Sequence, residues 1–253
     1  MAFEAHELAL RYDGPRGRAI FEDLDLLVPT GQLLTILGGS GVGKSTLLRI
    51  MAGLNPPSAG TMSSFGKPVT GPPRDVVMVF QDYSRSLLPW RSVLANVTLG
   101  IERSLKRTQA RERGMEALRA VGLADAADLH PRQLSGGMQQ RVQIARAIAM
   151  RPRAIVMDEP FGALDAMTKA SLQDQVRDLQ ASTGLTVVFV THDVDEAVYL
   201  GDRAVVMAGK PAHISLDVEI GLGSVRDQVK TRASEEFLDL RAVLLAALDE
   251  AHT

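Results

Sequence analysis

Hydrophobic positions fall along this chain in three rhythms. Near the N-terminus Leu24, Leu26 and Val28 alternate with Asp23, Asp25 and Leu27, a mostly two-residue period that suits a half-buried strand. Gly14 and Gly17 mark a turn between this strand and one over residues 8–12, so the first 30 residues are predicted to form antiparallel strands. Further on, apolar residues come in short unbroken runs at 33–37, 76–80, 154–157, 186–190 and 204–207. Bounded by Gly, Pro or charge, such runs suit strands buried on both faces of a parallel sheet. Between them the period turns helical: Met138, Val142, Ala145 and Ala149 share one face, as do Leu172, Val176 and Leu179. Alternation of this kind predicts a doubly wound α/β core.

From about Asp82 to Met150 no such strand run occurs and the pattern is mostly helical, as in a subdomain inserted between two halves of a sheet. The tail predicts one more helix, capped by Ser234, with Glu235 and Glu236 in its first turn and Phe237, Leu240, Leu244 and Leu248 on one face that packs on the core. The expected organisation is a single domain over 1–253. Its strands and core are drawn from 1–81 and 151–220, its helical subdomain from 82–150 and its helical tail from 221–253.

Composition narrows the function. The 253 residues carry 28 Lys+Arg against 30 Asp+Glu, a net charge of −2, which disfavours a general nucleic-acid binder. With no Cys, disulfides, thiolate metal sites and Cys nucleophiles are excluded. No apolar run approaches the roughly 18 residues of a membrane span, and the acidic N-terminus does not resemble a signal peptide. A soluble, cytoplasmic chain that can dock on a membrane protein is the expectation.

One motif carries a specific chemistry. Gly38, Gly39, Ser40, Gly41, Val42, Gly43, Lys44 and Ser45 match GxxxxGK[ST], directly after the run at 33–37 and before a helix that starts near Thr46 and ends near Gly53. Glycines let the backbone aim its N–H groups at one point, and the helix start adds positive potential. Lys44 can reach the outer phosphates of a nucleotide, Ser45 can ligate Mg²⁺, and Thr46 is a further phosphate contact. Asp158 closes the run at 154–157, at the carboxyl end of a buried strand where α/β sheets bind ligands, and suits the same Mg²⁺. Glu159 follows it and can orient and polarise an attacking water.

Leu134, Ser135, Gly136, Gly137, Met138, Gln139, Gln140 and Arg141 then resemble the signature sequence of ATP-binding cassette (ABC) ATPases. By itself, Ser135 is a good N-cap and the two glycines leave amides exposed at a helix start, an anion-binding arrangement. The resemblance runs over most of the chain. It implies an α/β fold: a P-loop NTPase (RecA-like) core with an antiparallel β subdomain and an inserted helical subdomain. It also implies that Gln81 senses Mg²⁺ and the reactive water, and that His192, within Thr191-His192-Asp193, contacts the γ-phosphate. By the same resemblance Tyr12 stacks on adenine, and Gly162, Ala163, Leu164 and Asp165 form a loop that communicates across a dimer. Many members have Ser where this chain has Gly162.

What the resemblance implies further is a head-to-tail dimer, with a second ABC ATPase subunit, identical or related. Each ATP lies between residues 38–46 of one copy and Ser135, Gly136 and Gly137 of the other. The stretches from Val79 to Ser84 and from Leu87 to Arg91, together with Arg226-Asp227-Gln228-Val229, are similar to nitrate/sulfonate/taurine-type importer ATPases. Transmembrane permease subunits, received at Leu87, Leu88 and Trp90, and indirectly a solute-binding protein would be the partners. The chain would then be peripheral on the inner face of the membrane. The alternative is a non-transport ABC ATPase in a nucleic-acid or ribosome-associated complex; a single P-loop and no heptad insert between Gly43 and Leu134 speak against it.

Overall fold

The computed structural model describes residues 1–12, 17–81, 86–162 and 164–252. By internal packing the chain divides into two compact units: Met1–Met78 with Ala154–Asp158 and Leu179–Thr253, and Val79–Arg153 with Glu159–Asp178.

The first unit holds two sheets. The N-terminal strands β1 (Phe3–Arg11) and β2 (Ala19–Val28) pair antiparallel, as their alternation predicts. The expected turn residue Gly14 lies outside the described residues. Three apolar runs become β3 (Leu33–Gly38), β7 (Ala154–Asp158) and β8 (Thr186–Val190), with every residue buried. The others become β6 (Val76–Val79) and β9 (Arg203–Ala208). With β10 (His213–Glu219) they form one sheet in the order β10-β9-β3-β8-β7-β6. β3 is hydrogen-bonded in parallel to β8 on one side and to β9 on the other.

Three strands are not among the unbroken apolar runs. β4 (Ala59–Ser64) and the two-residue β5 (Lys67–Pro68) are short and polar. Pairing with β1, Phe3 opposite Ser64, recruits β4 to the order β2-β1-β4-β5. β10 pairs antiparallel with β9 at the edge of the larger sheet and alternates, with Ile214, Leu216 and Val218 half-buried and the polar residues between them exposed.

Helix α1 (Lys44–Met51) buries Leu47, Leu48, Ile50 and Met51 in the core of this unit. At roughly 1.5–3 kcal/mol per side chain, that burial fixes the helix, and with it the loop that precedes it. The predicted tail helix is also present as α7 (Glu235–His252). Ser234 Oγ accepts from the Phe237 amide, and Phe237 and Leu244 are fully buried.

The second unit is helical: α2 (Val93–Val97), α3 (Arg107–Ala120), α4 (Gly136–Ala149) and most of α5 (Ala166–Thr183). It is wider than the 82–150 expected from pattern. The opening turns of α5 lie beside the end of α3 and the second turn of α4: Thr168, Ser171 and Leu172 share a cavity of about 250 Å³ with Val121 and Arg141. Elsewhere in this unit Asn96, fully buried, donates to the carbonyls of Leu88, Arg91 and Ser92 and accepts from the Leu88 amide. Arg146 joins it, donating to Asn96 Oδ1, Asn96 O and Ser86 O. Burial holds the Arg146 guanidinium below its usual pKa.

Candidate active site

The phosphate cradle begins where β3 ends. Gly38 pairs with Met207 at the last step of the β3–β9 ladder and has φ 153°; a Cβ there would sit 2.5 Å from the Met207 carbonyl oxygen. Gly43 has φ 116°, and a Cβ would meet Ile20 Cγ2 at 2.8 Å. These two positions accept only glycine without a shift of neighbours. Between them the chain turns from strand to helix, and the amides at the start of α1 point along the helix axis into the loop. Lys44, nearly buried, reaches back over the loop and donates to Gly38 O at 2.7 Å and Gly39 O at 2.9 Å. Its ammonium is thereby held within the curve of the backbone. Ser40, Gly41, Val42 and Thr46 complete the same loop and first turn.

Ser45 Oγ donates to Asp158 Oδ1 at 2.9 Å, joining the first turn of α1 to the buried end of β7. Residues 113 positions apart in sequence are thus brought together as the motif pattern requires. A hydroxyl and a single carboxylate oxygen are hard ligands that fit Mg²⁺, an ion that takes its remaining oxygens from phosphate and water. Among the described residues no cluster of three or more His, Cys, Asp or Glu could replace such an arrangement.

In the second unit Gln81 Nε2 donates to Glu159 Oε2 at 3.1 Å, so the glutamine expected to sense the metal is seated on the candidate base. Glu159 has φ 44°, the left-handed region that non-glycine residues seldom occupy. It is the residue directly after Asp158, so the chain turns sharply between one acid and the next.

His192 is exposed and follows β8 in the first unit. Its neighbours are fixed: Thr191 Oγ1 donates to buried Glu196 at 2.6 Å, and Asp193 caps α6 (Val194–Leu200) by accepting from the Glu196 amide. Glu196 was not singled out from sequence; an acid inside an otherwise apolar helix face was the available signal.

Ser135 caps α4 as predicted, accepting from the Met138 amide at 3.2 Å, with Gly136 and Gly137 in the first turn. Asp165 accepts from the Thr168 amide at 3.0 Å before α5. The Thr168 hydroxyl, and then that amide, hold its carboxyl below the usual range. Ser135, Gly136, Gly137 and Asp165 belong to the second unit; the cradle and Tyr12 belong to the first. Tyr12 is exposed, just past β1. Of the residues expected to receive a permease, Leu87 is instead buried as core, while Trp90 is 73% exposed. Asp82, Tyr83, Ser84 and Ala163 lie outside the described residues.

A cradle of this geometry suits many nucleotide enzymes, and likeness to known proteins decides among them. Residues 21–162, more than half of the chain, match the ABC transporter family. The chain belongs to that family. It is 42% identical to the aliphatic sulfonates import ATP-binding protein SsuB 2 of Agrobacterium fabrum, over 93% of this chain and 86% of that one. It is also 42% identical to the nitrate import ATP-binding protein NrtC of Synechococcus elongatus, over 90% of this chain but 35% of that longer protein. Among solved structures, a dimeric post-hydrolysis ATP-binding cassette bound to ADP and Pi superposes with a TM-score of 0.78 at 30% identity, covering 86% of this chain and 98% of that one. The α/β fold is therefore that of the ABC cassettes, and the chain is an ATP-binding ATPase. Among the described residues, no helix of this ABC ATPase is long and apolar enough to cross a membrane.

Proposed function

We propose that this ATPase drives uptake of a small solute of the nitrate, sulfonate or taurine type through separate permease subunits. It would work as a head-to-tail dimer with a second copy or a close relative. The observation that carries the nucleotide chemistry is the Ser45–Asp158 hydrogen bond beside the cradled Lys44. The import reading rests on the likeness to the sulfonate and nitrate import proteins.

ATP would bind with its phosphates against the amides of residues 38–46 and its adenine on Tyr12. Lys44 neutralises charge on the outer phosphates. Mg²⁺, held by Ser45, Asp158 and Gln81, would offset the charge shared between the β- and γ-phosphates. Glu159 accepts the proton of the attacking water, and Gln81 holds Glu159 in orientation. His192 contacts the γ-phosphate. Ser135, Gly136 and Gly137 of a second copy close over the nucleotide, and Asp165 reports across the dimer. Phosphoryl transfer of this kind is almost entirely positioning and charge stabilisation, which is what these groups supply. Exposed Trp90 is the anchor offered to a permease.

Replacing Glu159 tests the assignment directly. Glu159→Gln keeps the shape and removes the base, so turnover should fall by roughly 10²–10⁴ while ATP still binds. The same variant should run as a dimer by size-exclusion chromatography with MgATP and as a monomer without it. Undiminished hydrolysis would remove Glu159 from the mechanism; a monomer with saturating MgATP would remove the dimer.

A further inference from the structure

Helix α6 is only seven residues long, yet three arginines from the C-terminal segment hold it. Arg226, its side chain 1% exposed, donates through Nη1 to the carbonyls of Val198 and Tyr199 and through Nη2 to that of Gly201. These are the last carbonyls of α6, where a cation also complements the helix dipole. A fourth bond, from Nε to Gly223 O, anchors the arginine on its own segment. Arg232 lies over the ring of buried Tyr199, 4.8 Å from its centroid. At the opposite end of α6, Arg241 Nε lies 2.7 Å from Asp195 Oδ1.

The N-terminal end of α6 is continuous with the His192 loop. Asp193 is its cap, and Glu196 in its first turn takes the Thr191 hydroxyl, so the residues on both sides of His192 are tied to the helix. α6 cannot slide or turn without carrying that loop. Releasing Arg226 would leave three buried carbonyls without this donor and loosen the end of α6 opposite the histidine.

We infer that the segment from Arg226 to Arg241 is a clasp that sets the position of His192, with Arg226 as the principal positioning residue for ATP hydrolysis. This gives the C-terminal tail a role beyond plain packing. It rests on the assignment of His192 to the γ-phosphate.

The test uses the full-length chain with Arg226→Gln, Arg226→Lys, His192→Ala and the doubly substituted chains. Arg226→Gln should lower kcat roughly two- to thirty-fold with little change in KM for ATP, the range expected for coupling through packed elements. Arg226→Lys, which keeps the charge without the fork, should recover part of the loss. In the His192→Ala background, Arg226→Gln should cost nothing further, because the effect runs through the histidine. An equal loss in both backgrounds would overturn the clasp and leave Arg226 as a stabilising residue only.

A second readout does not depend on turnover. The imidazole proton resonance that disappears in His192→Ala should shift or broaden in Arg226→Gln, and should be unchanged in Arg151→Gln, whose partner is Glu116. An unmoved His192 resonance in Arg226→Gln would equally overturn the proposal. If His192→Ala leaves kcat intact, the γ-phosphate assignment fails, and the resonance still judges the clasp on its own. Should Arg226→Gln fail to fold, Arg232→Gln removes the contact with the Tyr199 ring, together with the Gln228 bond and the Phe237 contact inside the tail, and carries the same comparisons.

Discussion

Glu159 shows how a single residue can be kept at a conformational cost. Its φ of 44° costs on the order of 1 kcal/mol for a side chain with a Cβ, and its carboxylate is turned onto Gln81 rather than into a core. Glu159→Gly should therefore leave the fold at least as stable, by up to ~1 kcal/mol in chemical denaturation, while hydrolysis is lost. A matching loss of stability would show that the backbone is not strained there. At this scale the sequence was legible wherever a motif fixes a spacing. Lys44, Ser45 and Asp158 meet as expected because the strand–loop–helix pattern leaves little freedom. The left-handed turn at Glu159 was not legible, since nothing in Asp158-Glu159-Pro160 signals a positive φ. Nor was Arg226 legible as a clamp on three carbonyls, because its partners come from a helix 25 to 28 positions earlier.

Elements built on apolar runs were read well, and elements built on pairing or on polar networks were not. β3, β7 and β8 declare themselves because burial on both faces disfavours polar residues, leaving only Thr35, Asp158 and Thr186 among them. β4 is a strand only through its neighbour β1, while β10 carries a short two-residue alternation that no unbroken run announces. The helical unit hides the opposite case, a core organised by polar groups. The Asn96 side chain bonds three carbonyls and an amide in the segment from Leu88 to Ser92, two of the carbonyls also taking a backbone N–H, and Arg146 braces it from α4. Asn96→Ala should destabilise the chain by roughly 1–3 kcal/mol in urea unfolding, more than a typical surface change, because several part-buried groups and Arg146 lose a partner together. A loss below about 0.5 kcal/mol would mean that water replaces the amide at no cost. The same substitution should free the segment that presents Trp90.

For the whole molecule, the decisive question is whether one chain can complete a site. The cradle lies in one compact unit and the Ser135 helix start in the other, and the proposed dimer pairs the cradle of one copy with the Ser135 turn of the next. Complementation reads this out. Lys44→Ala disables every cradle it carries, and Ser135→Arg blocks every closing turn. In a mixed dimer both defects fall in one site and the other site is intact. Mixing the two inactive chains should restore up to about a quarter of the wild-type ATPase rate, from half of the dimers being mixed and each having one working site. No recovery on mixing would count against a shared site. Net charge, the absent Cys and the lack of an apolar span bounded this scale from sequence, whereas the division into units did not follow from composition.

The position of β3 in its sheet has one further consequence. Flanked by hydrogen-bonded strands on both sides, it carries the glycine loop on the part of the sheet least able to fray. Preorganisation of this sort removes the entropic penalty of moulding a receptor around its guest. Whatever affinity the nucleotide's triphosphate supplies is then not consumed in shaping its own seat, and would remain available to draw the proposed second copy into place.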